Sequence, residues 1–232
     1  MTSPMSPQNT WKQLAGNAAA ELIQEGMVVG LGTGSTAAYL VQAMAQRIQQ
    51  GLQIKGAVAS SLATYDLANS LHIPMTDLDE HPELDIYIDG ADEIDPQFRL
   101  IKGAGGALLR EKILASAARR FVVIADSSKK VTQLGHIYPL PVEVVPLAKT
   151  PITLQLTRLG AEVKIRQHNN IPFITDNHNY ILDCTFPQGI SDPAQLDAQI
   201  HSIVGVVETG LFINMVSQVI IGGPEGVQIF SR

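Results

Sequence analysis

The sequence predicts an α/β protein with a Rossmann-like parallel sheet covered by helices and a second, smaller α+β domain. In the first half of the chain, short apolar runs alternate with helical patterns, and the runs are apolar throughout rather than at every second residue. Pro139, Pro141 and Pro146 then interrupt the chain, and segments rich in β-formers follow. In such a fold we expect ligands at the carboxyl ends of the parallel strands.

The first half of the chain alternates between strand and helix patterns. A capping-box pattern at Thr10 and the Ala-rich stretch after it predict a first helix that runs to Glu25 and is ended by Gly26. The predicted strands are Met27–Leu31, Ile54–Ala59, Leu84–Asp89 and Phe121–Ala125, and the predicted helices between them are Ala37–Ile48, Ser61–Leu71 and Ala107–Arg120.

The second half predicts the smaller domain. Its predicted strands are Val142–Val145, Glu162–Arg166, Pro172–Thr175 and Tyr180–Cys184, and its predicted helices are Pro151–Leu159 and Pro193–Ile200. The apolar stretches Val206–Glu208 and Val216–Ile221 are predicted to return to the first sheet. Residues 1–130 and 207–232 then form a Rossmann-like catalytic domain, and residues 131–206 form the smaller domain.

Composition restricts the class of protein and its partners. The 232 residues are 45% apolar and 16% charged, which excludes disordered, collagen-like and coiled-coil proteins. The 16 basic and 22 acidic residues give a net charge of −6, and the basic residues are scattered, so nucleic acid is not expected as the main partner. An anionic ligand would be attracted locally, by a few lysines and helix N-termini.

Cys184 is the only cysteine, which excludes an intrachain disulfide or a site of several cysteines and favours a cytoplasmic location. It lies in an apolar strand, where we expect it to be buried. No apolar run approaches the roughly 18 residues of a membrane-spanning helix. The N-terminal residues lack a basic segment followed by an apolar stretch, so we expect neither standard export nor membrane insertion.

The segment Gly30–Thr36 lies between a predicted strand and a predicted helix. Its glycines let the backbone approach an anion, its hydroxyl side chains offer donors, and the helix start supplies free N–H groups. This predicts a phosphate-binding turn. The spacing matches neither the dinucleotide fingerprint nor the P-loop. A tight structural turn with an N-cap serine is the alternative.

Carboxylates crowd the end of the predicted strand Leu84–Asp89, in the segment Asp89–Asp95. Such a cluster at the carboxyl end of a buried strand suits metal binding or proton transfer, and mutual repulsion would raise the pKa of at least one member. The alternative is an acidic surface loop that caps a helix.

The segment Lys102–Lys112 begins with a lysine and a glycine-rich turn and continues into a predicted helix. Lys102 and Glu111 would supply an oxyanion-stabilising cation and a base. The alternative has Lys102 solvated and Glu111 paired with a neighbour on an exposed helix face. A fourth segment, Asp126–Lys130, follows another apolar strand, and its lysines could reach a phosphate or a sugar hydroxyl. Four such segments at strand ends favour a functional site over coincidence.

The segments GLGTGSTA, YIDGADEID, IKGAGGALLREK and ADSSK resemble, in order and approximate spacing, those of the ribose-5-phosphate isomerase A family. Matches in PLPVEVVP, TDNHNYILD and GVVETGLF extend the resemblance over nearly the whole chain. The resemblance implies interconversion of D-ribose 5-phosphate and D-ribulose 5-phosphate, in the non-oxidative pentose phosphate pathway, without a metal or organic cofactor. The family is commonly a homodimer or homotetramer, and the histidines here show no metal-ligand spacing.

Position by position, the resemblance makes Glu111 the base that moves a proton between C1 and C2 through an enediolate. Asp89 assists ring opening and moves protons on the sugar oxygens, Lys102 stabilises the oxygen that becomes negative, and Asp92 completes the catalytic set. Whether Lys129 or Lys130 contacts the ligand rests on alignment alone. The implied substrate contacts are Thr33, Gly34, Ser35, Thr36, Asp89, Gly90, Ala91, Asp92, Lys102, Gly103, Ala104, Gly105 and Lys129.

Two other functions fit parts of the sequence. An amino-sugar phosphate deaminase would share a phosphate turn and carboxylates, but the intact DGADE and KGAGGALLREK segments favour the isomerase. A sugar-phosphate sensing module of a transcription regulator would usually bring an N-terminal DNA-binding domain, for which the residues before Met27 are few. Such a module would not need Glu111.

Overall fold

A computed structural model describes residues 6–232, which form six α-helices, two short 3-10 helices and fifteen strands. The α-helices are α1 (Pro7–Ala20), α2 (Ser35–Gln49), α3 (Leu62–Ser70), α4 (Leu108–Ala117), α5 (Lys149–Arg158) and α6 (Pro193–His201). The 3-10 helices are Ser127–Lys129 and Pro146–Ala148. The strands are β1 (Val28–Leu31), β2 (Gly56–Ala59), β3 (Ile86–Asp89), β4 (Glu93–Ile94), β5 (Leu100–Ile101), β6 (Phe121–Asp126), β7 (Leu140–Val144), β8 (Glu162–Ile165), β9 (Gln167–His168), β10 (Ile171–Pro172), β11 (Tyr180–Thr185), β12 (Val206–Thr209), β13 (Leu211–Phe212), β14 (Gln218–Gly223) and β15 (Gly226–Ser231).

The first helix begins before the predicted start. Ser6 is its N-cap and accepts a hydrogen bond from the Asn9 N–H, while Pro7 occupies the first helical position, which suits its fixed φ. The predicted start at Thr10 is therefore wrong, because a serine and a proline further upstream already satisfy the helix start.

The chain divides into two compact units. The first unit comprises the residues up to Gly90 together with Arg110–Lys129 and Met215–Arg232. The second unit comprises Ala91–Leu109 and Lys130–Asn214.

The first unit is built on a six-stranded sheet in the order β15-β14-β6-β3-β1-β2. All neighbouring pairs are parallel except β14 and β15, which form an antiparallel hairpin at one edge. The predicted α/β class with a parallel sheet is confirmed. Strands β1, β3 and β6 are buried along their whole length, which is typical of strands with both faces covered.

The second unit contains a four-stranded sheet in the order β12-β7-β11-β8 and a three-stranded sheet in the order β13-β5-β4. The prediction that Val206–Glu208 rejoins the first sheet is wrong, because β12 pairs with β7. The predicted return of the second stretch is confirmed, because β14 pairs with β6. The division also differs from the predicted domain boundaries: residues 91–109 and 207–214 group with the second unit because β4 and β5 form a sheet with β13.

Cys184 is fully buried and free, as its apolar strand predicts. Burial raises the pKa of its thiol to about 12. Within residues 6–232, no helix is long and apolar enough to cross a membrane.

Candidate active site

The turn after β1 lies directly against the carboxylate of Asp89. A Cβ atom on Gly32 would lie 2.0 Å from Asp89 Oδ1, so only glycine fits there. Asp89 Oδ1 accepts hydrogen bonds from the N–H of Thr33 at 2.9 Å and the N–H of Gly90 at 2.6 Å. The first glycine-rich segment and the first acidic residue therefore form one structure within the first unit.

The hydroxyl of Thr33 points into a cluster of other hydroxyl groups. Its Oγ1 lies 2.7 Å from Ser60 Oγ and 2.9 Å from Ser61 Oγ, and Thr64 Oγ1 donates to the carbonyl of Gly32. The sequence predicts a ligand-binding role for the Thr33 hydroxyl, but in the structure this group ties the turn to the start of α3. Its contribution to a ligand would come through the backbone that it fixes.

The start of α2 is open to an anion. Gly34 is the N-cap and no side chain caps the helix, so the first N–H groups, at Ser35 and Thr36, have no capping side chain. The alternative that Ser35 is the N-cap is wrong, because Ser35 is the first residue of the helix. Lys12 of α1 places its Nζ 3.0 Å from Ser35 Oγ and adds a positive charge.

Lys12 is a candidate site residue that no sequence motif marks. It lies in a helix before the first strand, where its sequence context is an ordinary amphipathic helix. The combination of a helix N-terminus, hydroxyls and a lysine fits a phosphate group.

Tyr87 is a second missed residue. Its ring is fully buried and stacks on Phe121 with centroids 4.9 Å apart, and its hydroxyl donates to Asp89 Oδ2. Burial raises the pKa of Tyr87 well above its usual value, and the negative charges of Asp89 and Glu111 raise it further. The phenol therefore remains neutral and holds one oxygen of Asp89, while backbone N–H groups hold the other.

Glu111 lies in the first turn of α4 and is only 3% exposed. This excludes the alternative in which it pairs with a neighbour on an exposed helix face. The positive end of the helix dipole favours a carboxylate in this turn. Because its charge acts on the Tyr87 hydroxyl, Glu111 belongs to the same part of the first unit as Asp89.

The fourth segment follows β6. Asp126 is fully buried, and its Oδ1 accepts from the N–H of Ser128 at 3.0 Å, which fixes the 3-10 helix Ser127–Lys129. Lys129 is half-buried and Lys130 is exposed. The structure therefore distinguishes the two lysines by their exposure, whereas the sequence gives no reason to prefer one of them as a ligand contact.

The other carboxylates of the acidic segment have separate partners in the second unit. Asp92 Oδ2 accepts the N–H of Ala104 at 2.8 Å. Glu93 is fully buried and accepts three backbone N–H groups of the loop at 135–138. Asp95 pairs with Arg99. Each of these three carboxylates therefore has a partner of its own.

Lys102 is only 2% exposed, which excludes the solvated alternative. Its N–H donates to the carbonyl of Gly210 at 2.9 Å, and its Nζ lies 5.5 Å from the ring centroid of Phe212. Ala104 and Gly105, which follow in the turn, are exposed, while Gly90 and Ala91 are half-buried.

Asp197, His201 and Glu208 form a group of possible metal ligands in the second unit, with ligand atoms within 4.8 Å of one another. The His201 Nδ1 lies 2.9 Å from the backbone oxygen of Asp197, and its Nε2 lies 2.7 Å from Glu208 Oε1. One imidazole cannot turn both nitrogens toward a single ion. The ring therefore links α6 to β12.

A parallel sheet, an open helix start beside a lysine, and the buried carboxylates of Asp89 and Glu111 are typical of an α/β enzyme that binds a phosphate. Residues 56–226 match the family model of ribose 5-phosphate isomerase A (phosphoriboisomerase A). The chain belongs to this family, as its four motifs predict.

Relatives and solved structures match over nearly the full length. The chain is 50% identical to ribose-5-phosphate isomerase A of Synechococcus sp. (strain JA-3-3Ab), covering 97% of this chain and 98% of the relative. It is 48% identical to the Bacillus mycoides (strain KBAB4) protein of that name, covering 94% and 97%. A D-ribose-5-phosphate isomerase in complex with phospho-erythronic acid matches with a TM-score of 0.94 at 38% identity, covering 98% of this chain and 100% of that one. The Plasmodium falciparum ribose 5-phosphate isomerase matches with a TM-score of 0.93 at 36% identity, covering 97% and 99%.

Proposed function

We propose that Glu111 is the base with which this chain interconverts D-ribose 5-phosphate and D-ribulose 5-phosphate. The aldose–ketose isomerisation itself comes with membership of the ribose 5-phosphate isomerase A family. The observation that carries the assignment of the base is the burial of Glu111 in the first turn of α4, close enough to Tyr87 for its charge to act on the hydroxyl beside Asp89.

The proposed chemistry is a proton transfer. Glu111 removes the proton from C2 of the open-chain aldose, and the electron pair forms the C1–C2 double bond of an enediolate with negative charge on O1. Transfer of the O2 proton to O1 and return of the proton from Glu111 to C1 then give the ketose and regenerate the carboxylate. No redox change and no leaving group occur, so the proposal requires neither metal nor organic cofactor. A positioned base contributes about 10²- to 10⁴-fold to such a step.

Lys102 is proposed to stabilise the negative oxygen of the enediolate. Its burial supports this role, because an ammonium shielded from water interacts more strongly with a developing charge. Asp89 is proposed to open the sugar ring and move protons on its oxygens. The hydrogen bonds that fix both of its oxygens support a role that needs defined orientation. Asp92 is proposed to complete the set by holding the Ala104 N–H.

The phosphate is proposed to bind at the start of α2. Gly34, Ser35 and Thr36 offer the N–H groups and hydroxyls, and Lys12 adds the charge. Lys129 is proposed as a further contact in preference to Lys130, because it is half-buried at the end of a fixed 3-10 helix. The remaining proposed substrate contacts are Thr33, Gly90, Ala91, Gly103, Ala104 and Gly105.

We also propose a cellular location, a pathway and an oligomeric state for the enzyme. We place it in the cytoplasm, in the non-oxidative pentose phosphate pathway, as a homodimer or homotetramer, with a sugar phosphate as its partner and neither nucleic acid nor membrane. A single buried cysteine supports a reducing compartment.

The test is isomerisation of ribose 5-phosphate in the presence of a chelator by the wild type and by Glu111→Gln. Because the amide is nearly isosteric but accepts no proton, we expect retained substrate binding and a loss of about 10²- to 10⁴-fold in kcat. Glu25→Gln is the matched control, because Glu25 is exposed in the same unit, and should keep full turnover. Retained turnover in Glu111→Gln would remove Glu111 from its role.

A further inference from the structure

The guanidinium of Arg166 lies against the turn that follows Lys102, within the second unit. Its Nη1 donates to the carbonyl of Gly103 at 2.7 Å and to the carbonyl of Ala104 at 3.1 Å. Arg166 directly follows β8 and lies outside the four sequence motifs. A long side chain just after β8 therefore holds two successive carbonyl groups of a turn more than 60 residues earlier, since the sequence separations are 63 and 62.

The arginine is itself held in place. Asp183 of β11 binds it with both carboxylate oxygens: Oδ2 accepts from Nε at 3.0 Å and Oδ1 accepts from Nη2. The two side chains are 15% and 21% exposed, so solvent competes little for these contacts. The backbone of Arg166 is also fixed, because its N–H donates to Ile181 and its carbonyl accepts from Phe173.

These contacts set the direction of two peptide planes. In a trans peptide, the C=O group of one residue and the N–H group of the next point in opposite directions. Holding the Gly103 carbonyl on Arg166 therefore turns the Ala104 N–H away, and that N–H donates to Asp92 at 2.8 Å. Holding the Ala104 carbonyl likewise turns the Gly105 N–H away from the guanidinium, in a part of the turn that is exposed.

The turn needs such support because its backbone is unusual. Gly103 has a φ of +103°, a conformation that few residues adopt, and its carbonyl also accepts the N–H of Gly106 at 3.0 Å. A four-residue turn with exposed peptide groups can rotate those groups unless side chains fix them. Asp92 holds the turn on one side and Arg166 on the other.

We propose that Arg166 is a positioning residue of the isomerase, which orients the peptide groups of Gly103–Gly105 for the sugar end of the substrate. This inference rests on the proposed role of the Lys102–Gly105 turn in substrate binding. Arg166 acts through the turn and does not itself contact the substrate. Because the phosphate is assigned to the start of α2 in the other unit, loss of Arg166 affects recognition of the sugar oxygens and leaves recognition of inorganic phosphate unchanged.

The role requires a guanidinium rather than a positive charge alone. Arginine presents a planar, rigid set of donors that can bind a carboxylate with two of its nitrogens and two carbonyls with the third. A lysine ammonium at the end of a flexible stem cannot hold all four contacts in that geometry. Arg166→Lys therefore keeps the charge and removes the orientation.

The experiment compares the wild type with Arg166→Lys, using turnover of ribose 5-phosphate and binding of two probes, phospho-erythronic acid and inorganic phosphate. Misplacement of reacting groups by about 1 Å costs up to about 100-fold in rate. We expect kcat/KM to fall by about 10- to 100-fold and the Kd for phospho-erythronic acid to rise, with the Kd for phosphate unchanged. Arg158→Lys, an exposed arginine at the end of α5 in the same unit, is the matched control and should change nothing.

A second variant covers the case in which Arg166→Lys does not fold. Asp183→Asn leaves the guanidinium in place but weakens its orientation, and should show the same pattern with a smaller loss. A kcat/KM within about threefold of the wild type in the folded variants would overturn the inference. Equal weakening of phosphate and phospho-erythronic acid would also overturn it, because that pattern indicates general disruption. If the wild type itself failed to turn over ribose 5-phosphate, the proposed function would fail instead.

Discussion

The turn before α2 and the turn before α4 are both rich in glycine and both lead into a helix, but their backbones are fixed by different groups. The first turn is held from inside its own unit by the Asp89 carboxylate and by a cluster of hydroxyls around Thr33. The second turn is held by side chains on both sides, Asp92 on an N–H and Arg166 on two carbonyls.

The difference indicates what each turn offers a ligand. Fixing the first turn leaves the helix start of α2 open beside Lys12, which suits a doubly charged phosphate. Fixing the carbonyls of the second turn directs the Gly105 N–H away from Arg166, in the turn that follows the buried Lys102, which suits a single oxygen that gains charge. In the proposed function, the same sequence signature thus forms two kinds of anion site.

The largest effect is expected from a substitution that disrupts the first turn. Gly32→Ala would place a Cβ atom 2.0 Å from Asp89 Oδ1, so the turn or the carboxylate must move. We expect kcat/KM to fall by about 100-fold or more and the melting temperature to fall as well. The control is Gly223→Ala, where the nearest atom to the new Cβ is 3.5 Å away. Wild-type activity in Gly32→Ala would contradict the close coupling of this turn to Asp89.

A smaller effect is expected from a substitution that changes only the proposed phosphate-binding end of the site. Lys12→Met removes the charge next to Ser35 but no group near the proposed base. We expect KM for ribose 5-phosphate to rise about tenfold, and phosphate affinity to fall, with kcat little changed. Lys55→Met, an exposed lysine in the same unit, is the control. A fall in kcat at constant KM would place Lys12 elsewhere in the mechanism.

Tyr87→Phe tests the role of Asp89, which accepts a hydrogen bond from the Tyr87 hydroxyl. Loss of one hydrogen bond to a charged group should lower kcat about tenfold without changing KM. Because the pKa of Tyr87 is raised in the folded protein, its contribution to stability is present below about pH 10 and is lost as the pH rises further. As the pH rises above 10, the unfolding free energy of Tyr87→Phe should therefore fall less than that of the wild type, as measured by urea denaturation.

The control for this variant is Phe121→Leu, which weakens the stacking on Tyr87 but keeps the hydroxyl. It should lower stability at every pH and leave the alkaline dependence as in the wild type. Equal alkaline slopes for Tyr87→Phe and the wild type would show that the hydroxyl has no special environment.

The smallest effect concerns the sheet that carries Asp183, the partner of Arg166. The neighbouring Cys184 is fully buried with its pKa raised to about 12, so its thiolate is scarce at pH 8 and out of reach of a reagent. We expect a thiol reagent to label it only when urea unfolds the protein. Its stabilising contribution should be present below about pH 9 and be lost toward pH 12. Rapid labelling of the native protein would contradict this packing.

Local patterns in the sequence predicted the parts of the site that are local in the structure. The strand, glycine turn and helix around Thr33–Thr36 are set by neighbouring residues, and the motifs around Asp89 and Glu111 carry the family resemblance. Predictions failed where a partner is distant. The apolar pattern of Val206–Glu208 is compatible with a strand in either sheet, and only its pairing with β7 decides between them. In the sequence, Arg166 is an ordinary charged residue after a strand, and only the structure shows its contact with the Gly103 carbonyl.

The measurement that tests the central claim most directly is deuterium incorporation from D2O during isomerisation, with the wild type and Glu111→Gln compared. Proton transfer by a carboxylate that exchanges with solvent predicts deuterium at C2 of recovered ribose 5-phosphate and at C1 of the ribulose 5-phosphate, and its loss in the variant. Complete isomerisation without deuterium, as in a direct hydride shift, or undiminished incorporation in Glu111→Gln, would contradict it.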